Sequence, residues 1–569
     1  MSSSLTLANY HIIKILGQGS YGKVLLIQRK SDGKQFAAKT FGQYPDYNEI
    51  NILASFEHPN ILHLEDIVMD SSDEIYVILP KADSDLSRTI SKMKSLPGDE
   101  VYQKTVDLMY QIISGVAFMN KFGYFHCDLK PANILMFGDR PVVADFSLTR
   151  GGSNSLIEDL ACGTITYKDY QTIGASHSMD DLKKIAKFST QDILKFKDEK
   201  PNFFQTDVFS LGAIMYEMYF NDDLISYYAS EEKIYRQYVE LESEIMHKIT
   251  TRETEMASGK IKSSRGTKLE DDVKVLRCVL ECVRHKLSDR IQHVVDILKC
   301  DVFADKVMSQ PIPGRMVANY LPTKNWCGEV TSDINKPLAK ITKILVNWCT
   351  EVLNHGRYGA KHKFLLTYVV FLTLFYRTYE INRDSSRVQL YGCIALYLAV
   401  AVTTEIPMHI DFLVDTSSGA FSKREFEMTL KEFVVTIKGV IRVPSIYDVT
   451  ENATEIAWWI TKALDDCKVI EQSPVELHNE YAELEAKNQK LFQVRIPKNL
   501  VKSFMCNPLT QKYKLVYYKS LDQYKDGTGY MELLISFNPP IDGSIKEYHM
   551  ITKTVDGAPV YSLKSENPI

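Results

Sequence analysis

Residues 126–135 read His126-Cys127-Asp128-Leu129-Lys130-Pro131-Ala132-Asn133-Ile134-Leu135, and Asp145-Phe146-Ser147 follows. Taken alone, Asp128 is an aspartate like many on a protein surface, so its meaning depends on what stands around it. Toward the N-terminus, Ala37-Ala38-Lys39 lies on a strand-like run. A lysine on a buried strand is costly unless its ammonium is paired. Glu49 lies within a helical pattern, Asn48 to Phe56, and could supply the partner that holds the ammonium against phosphates. The other reading of Lys39 is an exposed side chain on an edge strand. Further back, Gly17-Gln18-Gly19-Ser20-Tyr21-Gly22-Lys23-Val24 joins two strand-like runs. Its glycines let a hairpin backbone approach phosphates without Cβ clashes, with N–H groups facing the oxygens. A glycine pattern that opens a helix would suggest a dinucleotide fold, but here a strand follows.

In order and spacing these segments resemble the protein kinases, over about Tyr10 to Phe303. The resemblance implies ATP and Mg²⁺ as cofactors and transfer of a phosphoryl group to protein hydroxyls. That chemistry needs positioning and charge neutralisation more than covalent steps. By the resemblance, Asp128 accepts or orients the proton of the substrate hydroxyl and Lys130 steadies the γ-phosphate. Asn133 and Asp145 hold the metal. Gly17, Gln18, Gly19, Ser20, Tyr21, Gly22 and Val24 cover the ATP phosphates, and Lys39 with Glu49 reaches the α and β phosphates. Ile78 aligns with the gatekeeper, Leu79 to Lys81 with the hinge that reads adenine, and Asp85 with the residue that bonds the ribose hydroxyls. Lys130 in DLKPAN and Thr164 in GTITY resemble serine/threonine rather than tyrosine enzymes. Asp207-Val208-Phe209-Ser210-Leu211-Gly212 resembles the helix whose aspartate anchors the catalytic-loop backbone, and Asp289-Arg290 resembles a late structural arginine. The opposing reading is a pseudokinase and cyclin-like scaffold that binds partners without catalysis.

The departures are specific. Cys127 replaces the arginine that usually receives a phosphate on the activation loop, and Ser147 replaces a glycine. Glu158 and Asp159 either stand in for that phosphate, with Arg150 as partner, or form a solvated acidic loop. Lys168-Asp169-Tyr170-Gln171 stands where Ala-Pro-Glu is usual, which removes the glutamate expected to pair with Arg290. An insertion around residues 176–201, with DDLKKIAKF helical, reads as a solvated flap or as a substrate-docking element. Tyr21 is either a site of inhibitory phosphorylation or a plain glycine-loop tyrosine.

Outward from this half, 569 residues exceed what one hydrophobic core serves. A net charge of −5 gives no polyanion-binding signal, so no nucleic-acid partner is expected. The ten cysteines fall at no metal-ligand spacing and read as reduced thiols. Phe364 to Tyr376 and Gly392 to Val402 are too short to span a bilayer, so no membrane contact is expected.

Ile344 to Val352, Val388 to Leu396, Glu405-Ile406-Pro407, Phe421 to Glu425 and Pro444 resemble a cyclin box. Ala401 stands where cyclins usually carry a kinase-contacting lysine, while Glu432 matches the paired glutamate. The short interval from Lys39 to Glu49 lacks the loop that cyclins grip, which argues against a standard kinase–cyclin clamp. The fusion instead favours a tethered contact in cis through effective concentration, the alternative being a trans role in which the domain recruits substrates or another kinase. A charged amphipathic helix at about Pro474 to Lys490 follows. YKLVYYKSL, YMELLISF, EYHMITKTV and PVYSL read as strands, with turns at Asp526-Gly527 and Asp556-Gly557.

The expected fold class is α+β, a bilobal kinase followed by an all-α cyclin-like domain and a small β-rich module. The expected boundaries are 1–308 for the kinase, 309–333 for a linker, 334–470 for the cyclin-like domain and 471–569 for a helix plus the β-rich module. Expected partners are protein substrates bearing Ser or Thr and the intramolecular cyclin-like domain. The fusion resembles gene products of large DNA viruses, which implies host cytoplasm or virion. Otherwise the expected location is cytoplasm or nucleus.

Overall fold

The computed structural model describes residues 7–19, 22–41, 45–151, 164–176, 178–186, 189–197, 202–226, 229–304, 311–316, 348, 352, 371, 374–375, 378, 384–403, 408–441, 513–518, 530–535, 548–555 and 558–565. The chain divides into two compact units. One comprises Met1–Val317 with Val434–Val440, and the other Ala318–Phe433 with Ile441–Ile569.

The first unit opens with strands β1 (Tyr10–Gly19), β2 (Gly22–Arg29) and β3 (Gln35–Thr40), then helix α1 (Tyr47–Ser55) and β4 (Phe56–Glu57). β5 (Asp66–Met69) and β6 (Ile75–Pro80) complete an antiparallel sheet in the order β1-β2-β3-β6-β5. Alternation sets its core: Ile27, Phe36, Ala38, Val68 and Ile78 face inward and are buried. Helix α1 starts where the Asp46 carboxylate accepts the Glu49 N–H at 2.9 Å, and it stops where Phe56 turns extended. This cap fixes where Glu49 sits in the first turn.

The remainder is mostly helical. β7 (Ser84–Asp85) leads into α2 (Leu86–Met93) and the long α3 (Gly98–Lys121). β8 (Tyr124–Phe125), β9 (Ile134–Phe137), β10 (Arg140–Val143) and β11 (Arg150–Gly151) frame the HCDLKPAN segment. α4 (Tyr170–Ser176), α5 (Met179–Ala186), α6 (Thr190–Lys197), α7 (Phe203–Phe220), α8 (Glu231–Ala257) and α9 (Leu269–Val283) follow. α7 buries Val208, Phe209, Leu211, Ile214 and Met218, as a helix apolar on all sides must. It is capped by Asn202 and ended by Asn221 in the left-handed conformation. Gly212 lets α9 approach, since a Cβ there would stand 2.6 Å from the Cys282 Cβ.

The insertion corrects the solvated-flap reading for its described part. Both of its helices start with a capping box: Ser178 and Asp181 exchange bonds at α5, and Ser189 and Asp192 do so at α6. Leu182, Ile193 and Phe196 are buried, and the Phe196 ring lies 5.7 Å from Tyr170 and 5.9 Å from Tyr235. Lys195 donates to the Val239 carbonyl of α8 at 2.6 Å, and Lys197 donates to the Gly174 carbonyl of α4. This is packed structure.

In the second unit, helix Val388–Thr403 buries Leu390, Cys393, Ile394, Leu396 and Leu398. Arg387, just ahead of it, pairs with Glu425 at 2.8 Å. That glutamate lies in the first turn of helix Lys423–Thr436. Strands Tyr513–Tyr518 and Tyr530–Ile535 pair antiparallel, as do Tyr548–Val555 and Ala558–Ser565. The Glu405–Pro407 and Pro444 matches, most of Ile344–Val352, the 474–490 helix and both Asp-Gly turns lie outside the described residues. Among the described residues no helix is long and apolar enough to cross a membrane.

Candidate active site

The HCDLKPAN segment is held from beneath by α7. Asp207 is fully buried, and its carboxylate accepts the backbone N–H groups of His126 and Cys127 at 3.0 Å each, and the Asn120 amide at 3.3 Å. Burial pushes the Asp207 carboxyl up, while His126 and these donors pull the other way. Cys127 has φ 64°, an uncommon conformation for a side-chain-bearing residue, and adjacent N–H groups converge on one carboxylate there. The buried His126 ring meets the Ala144 carbonyl at 3.0 Å and lies 5.7 Å from the Phe146 ring. This contact ties the loop to the Asp145 segment.

On this platform the Asp128 carboxylate gathers three donors. Lys130 Nζ donates to Oδ2 at 2.7 Å, Asn133 Nδ2 to the same oxygen at 3.0 Å, and the Thr164 N–H to Oδ1 at 3.2 Å. Lys130 also reaches the Thr164 hydroxyl at 3.1 Å. Asn133 additionally donates to the Asp128 carbonyl at 2.9 Å. Its amide nitrogen is thus engaged and its Oδ1 is the atom suited to a cation.

Asp145 is exposed, with φ 61°, and the Ser147 hydroxyl donates to its Oδ1 at 2.9 Å. The serine that departs from the family pattern therefore orients the carboxylate. Among the described residues no three His, Cys, Asp or Glu side chains gather into a closed metal site. The Ala144 N–H donates to the Asn133 carbonyl at 2.9 Å, which brings the two segments together. Asn133 Oδ1 and the Asp145 carboxylate are oxygens of the kind that could hold a hard divalent cation with water and phosphate oxygens.

From the sheet, Lys39 Nζ lies 2.5 Å from Glu49 Oε1, with the glutamate side chain 3% exposed. Burial pushes the Glu49 carboxyl up to about 7, against the pull of the Lys39 ammonium, and the Asp145 charge adds to the rise. Lys39, Glu49 and Asp145 therefore share one electrostatic neighbourhood.

Gly17, Gln18 and Gly19 pair with Val24, Lys23 and Gly22 across the β1–β2 hairpin. Gly22 has φ 121°, and a Cβ there would run into the Thr40 carbonyl. Ser20 and Tyr21 lie outside the described residues, as do Glu158 and Asp159. Ile78 is buried and pairs with Ala38, Leu79 and Pro80 end β6, and Lys81 is exposed beyond it. The Asp85 carboxylate caps α2 by accepting the Arg88 N–H at 3.0 Å, so one of its oxygens already has a structural task.

The residues that replace Ala-Pro-Glu answer the missing-glutamate question. Arg290, 2% exposed, donates to the Asp169 carboxylate at 3.0 Å and to the Gln171 amide oxygen at 3.0 Å. The charge has moved two residues ahead of the position where the motif places it, and Gln171 keeps the hydrogen bond. Next to it, the Tyr167 hydroxyl donates to Glu217 at 2.6 Å, and burial pushes both groups up. The Tyr238 hydroxyl donates to the Ile165 and Lys168 carbonyls at 2.6 and 2.7 Å. These supports of residues 164–171 escape sequence reading. Their only signal is the tyrosine of GTITY, because the partners lie on α7 and α8.

The family model described as protein kinase domain matches residues 10–303. The chain is similar to serine/threonine-protein kinase ICK of Rattus norvegicus, 34% identical over 149 residues, covering 25% of this chain and 23% of that protein. It is also similar to serine/threonine-protein kinase MAK of Mus musculus, 30% identical over 149 residues, with the same two coverages of 25% and 23%. The carbon catabolite-derepressing protein kinase of Candida tropicalis is 32% identical over 171 residues, which is 28% of this chain and 27% of that protein. The matched stretch thus spans about a quarter of each relative's length.

Proposed function

The chain belongs to the protein kinase family and is a protein serine/threonine kinase, and on that premise we propose that it transfers the γ-phosphoryl group of ATP to Ser or Thr hydroxyls of proteins. The observation that carries this reading is the Asp128 carboxylate, held at once by Lys130, Asn133 and Thr164, with the Lys39–Glu49 pair formed in the same unit. Asp128 orients the incoming hydroxyl and takes its proton as the oxygen attacks phosphorus. Lys130, released from Asp128 Oδ2 or shared with it, neutralises charge on the moving phosphoryl group. Thr164 fixes where the peptide hydroxyl can enter. Lys39, kept in place by Glu49, binds the α and β phosphates, with Gly17 to Gly22 and Val24 above them. Leu79 and Lys81 present backbone to adenine, Ile78 closes the pocket behind it, and the Asp85 carboxylate, whose Oδ2 lies 4.0 Å from the Arg88 guanidinium, meets the ribose.

Asn133 Oδ1 and Asp145 would hold Mg²⁺, which neutralises β and γ phosphate charge when bound. The test is γ-phosphate transfer to a peptide library by the purified full chain, with Lys39→Met and Asp128→Asn as controls. Transfer that survives in Asp128→Asn, or is absent from the natural sequence with ATP and Mg²⁺ supplied, overturns the reading.

The proposal extends to residues 334–470 as a cyclin-like domain that modulates the kinase in cis. It is supported by the Val388 to Leu396 and Phe421 to Glu425 matches, which fall on or lead into helices. Removing the residues after Asp333 is expected to lower transfer, and unchanged transfer refutes the extension. The same fusion supports a large-DNA-virus source, with the protein in host cytoplasm or virion. A cellular source places it in cytoplasm or nucleus.

A further inference from the structure

Two segments that follow the kinase lobes in sequence meet the short helix that carries Glu49, one at the strand by which the chain leaves it and one on the helix itself. The first is residues 311–316. The His58 ring nitrogen Nε2 lies 2.8 Å from the Ile312 carbonyl, and Arg315–Met316 forms a strand, β12, antiparallel to β4. That places the added strand directly at the C-terminal end of α1. Gly314 fits into this contact because it lacks a side chain: a Cβ there would stand 2.8 Å from the His58 ring and 2.8 Å from the Phe118 ring.

The second segment is Val434–Val440, which belongs to the same compact unit as Met1–Val317. Helix Lys423–Thr436 ends there with the Gly439 N–H donating to the Val434 carbonyl at 2.9 Å and the Lys438 N–H to Val435 at 3.1 Å. Lys438 and Gly439 are both left-handed, with φ 56° and 73°. A lysine in that region is uncommon and persists only where its surroundings determine it. Here Lys438 Nζ meets the Asp66 carboxylate at 2.7 Å, at the start of β5. Gly439 lies on α1 itself. A Cβ there would stand 2.9 Å from Ile50 Cγ2, 3.4 Å from Ala54 Cβ and 3.5 Å from Leu64 Cδ2. Ile50 is fully buried and is the immediate neighbour of Glu49.

We propose that residues 311–316 and 434–440 form a two-point brace that holds α1 where Glu49 meets Lys39, so that the paired arrangement is built into the chain. The need for a brace follows from the helix. Nine residues make too few turns to be stable alone. The brace engages both ends of what such a helix can lose, the exit strand and the outer face. The activity arm of the proposal rests on the phosphoryl-transfer reading above. The structural arm does not.

The test uses the full chain with Lys438→Glu, Gly439→Val and the exchanged pair Lys438→Glu with Asp66→Lys. Amide hydrogen exchange of residues 47–55 is expected to quicken about tenfold or more in each single variant, with exchange in α7 unchanged as the folding control. Transfer kcat is expected to fall roughly ten- to a hundredfold in Gly439→Val and less in Lys438→Glu, with peptide KM retained. The exchanged pair restores both readouts toward the natural values. If residues 47–55 exchange at the natural rate in both single variants, the brace is overturned. If the exchanged pair restores neither readout, its ion-pair half is overturned. Absence of transfer from the natural chain defeats the functional reading, while the exchange data still decide the brace.

Discussion

Glu49 answers to two opposed demands. Its carboxyl must be ionised to hold Lys39, yet burial pushes it up to about 7. The sign of the pH effect follows. Protonation becomes favourable in the folded state as pH falls through about 7, well above the ordinary carboxylate value, so stability from this group is present at low pH and is lost as pH rises through about 7. Catalysis runs the opposite way, because the protonated form releases Lys39. Transfer kcat/KM is therefore expected to drop with a one-proton slope as pH falls below about 7. In Glu49→Gln that acid limb should vanish from a lower plateau; a profile unchanged in shape refutes the assignment. Asp128→Asn should reduce kcat by roughly 10²–10⁴-fold with ATP binding retained, as measured by nucleotide titration. Arg290 shows where a motif misleads at this scale. Sequence comparison finds the glutamate missing, yet Asp169 supplies the charge from two residues upstream. Spacing along a chain does not say which of two neighbouring side chains reaches a buried guanidinium. Asp169→Asn should destabilise the first unit by about 3–5 kcal/mol in urea unfolding, because it leaves Arg290 buried without its counter-charge.

Elements were legible where their period was long or their caps strong. The strand-like runs of β1 to β3 and the helical pattern around Glu49 were both readable, although only β3 alternates in burial, while β1 leaves Ile12, Ile13, Ile15 and Leu16 exposed. The glycine hairpin was readable as a turn, but only geometry shows why Gly22 is needed. Gly22→Ala combines a strained φ with a clash against the Thr40 carbonyl, and it should raise the KM for ATP more than it lowers kcat. The insertion was misread because its helices have only eight residues each and charged surfaces. The signal that could have found α6 is Ser189-Thr190-Gln191-Asp192, a capping box of the same form as Ser178 to Asp181. Phe196→Ala should cost about 3–5 kcal/mol, as for other large buried rings, and should loosen the 164–171 segment through Tyr170 and Tyr238. Hydrogen exchange across α4 and α6 would show whether the insertion supports that segment.

At the scale of the whole molecule, the first unit is discontinuous in sequence. No composition shift or periodicity announces this. A two-residue strand such as β12 carries no alternation, and a docking turn such as Lys438-Gly439 looks like any helix end. Two compact units predict that thermal unfolding is not a single all-or-none event. ATP with Mg²⁺ at about 100 times its dissociation constant should stabilise one transition by about 2.7 kcal/mol and leave the other in place. Calorimetry with and without nucleotide checks this, and a common shift of both transitions would show that the units unfold together.

Discontinuity also bears on biosynthesis. The sheet and the helices that surround Asp128 emerge from the ribosome well before Lys438 has been translated. At ~5–20 residues per second, the stretch between Val317 and Val434 takes on the order of ten seconds to make. During that interval a nascent kinase has its catalytic residues but not its finished small lobe. Any product that ends prematurely in that stretch keeps this juvenile form permanently.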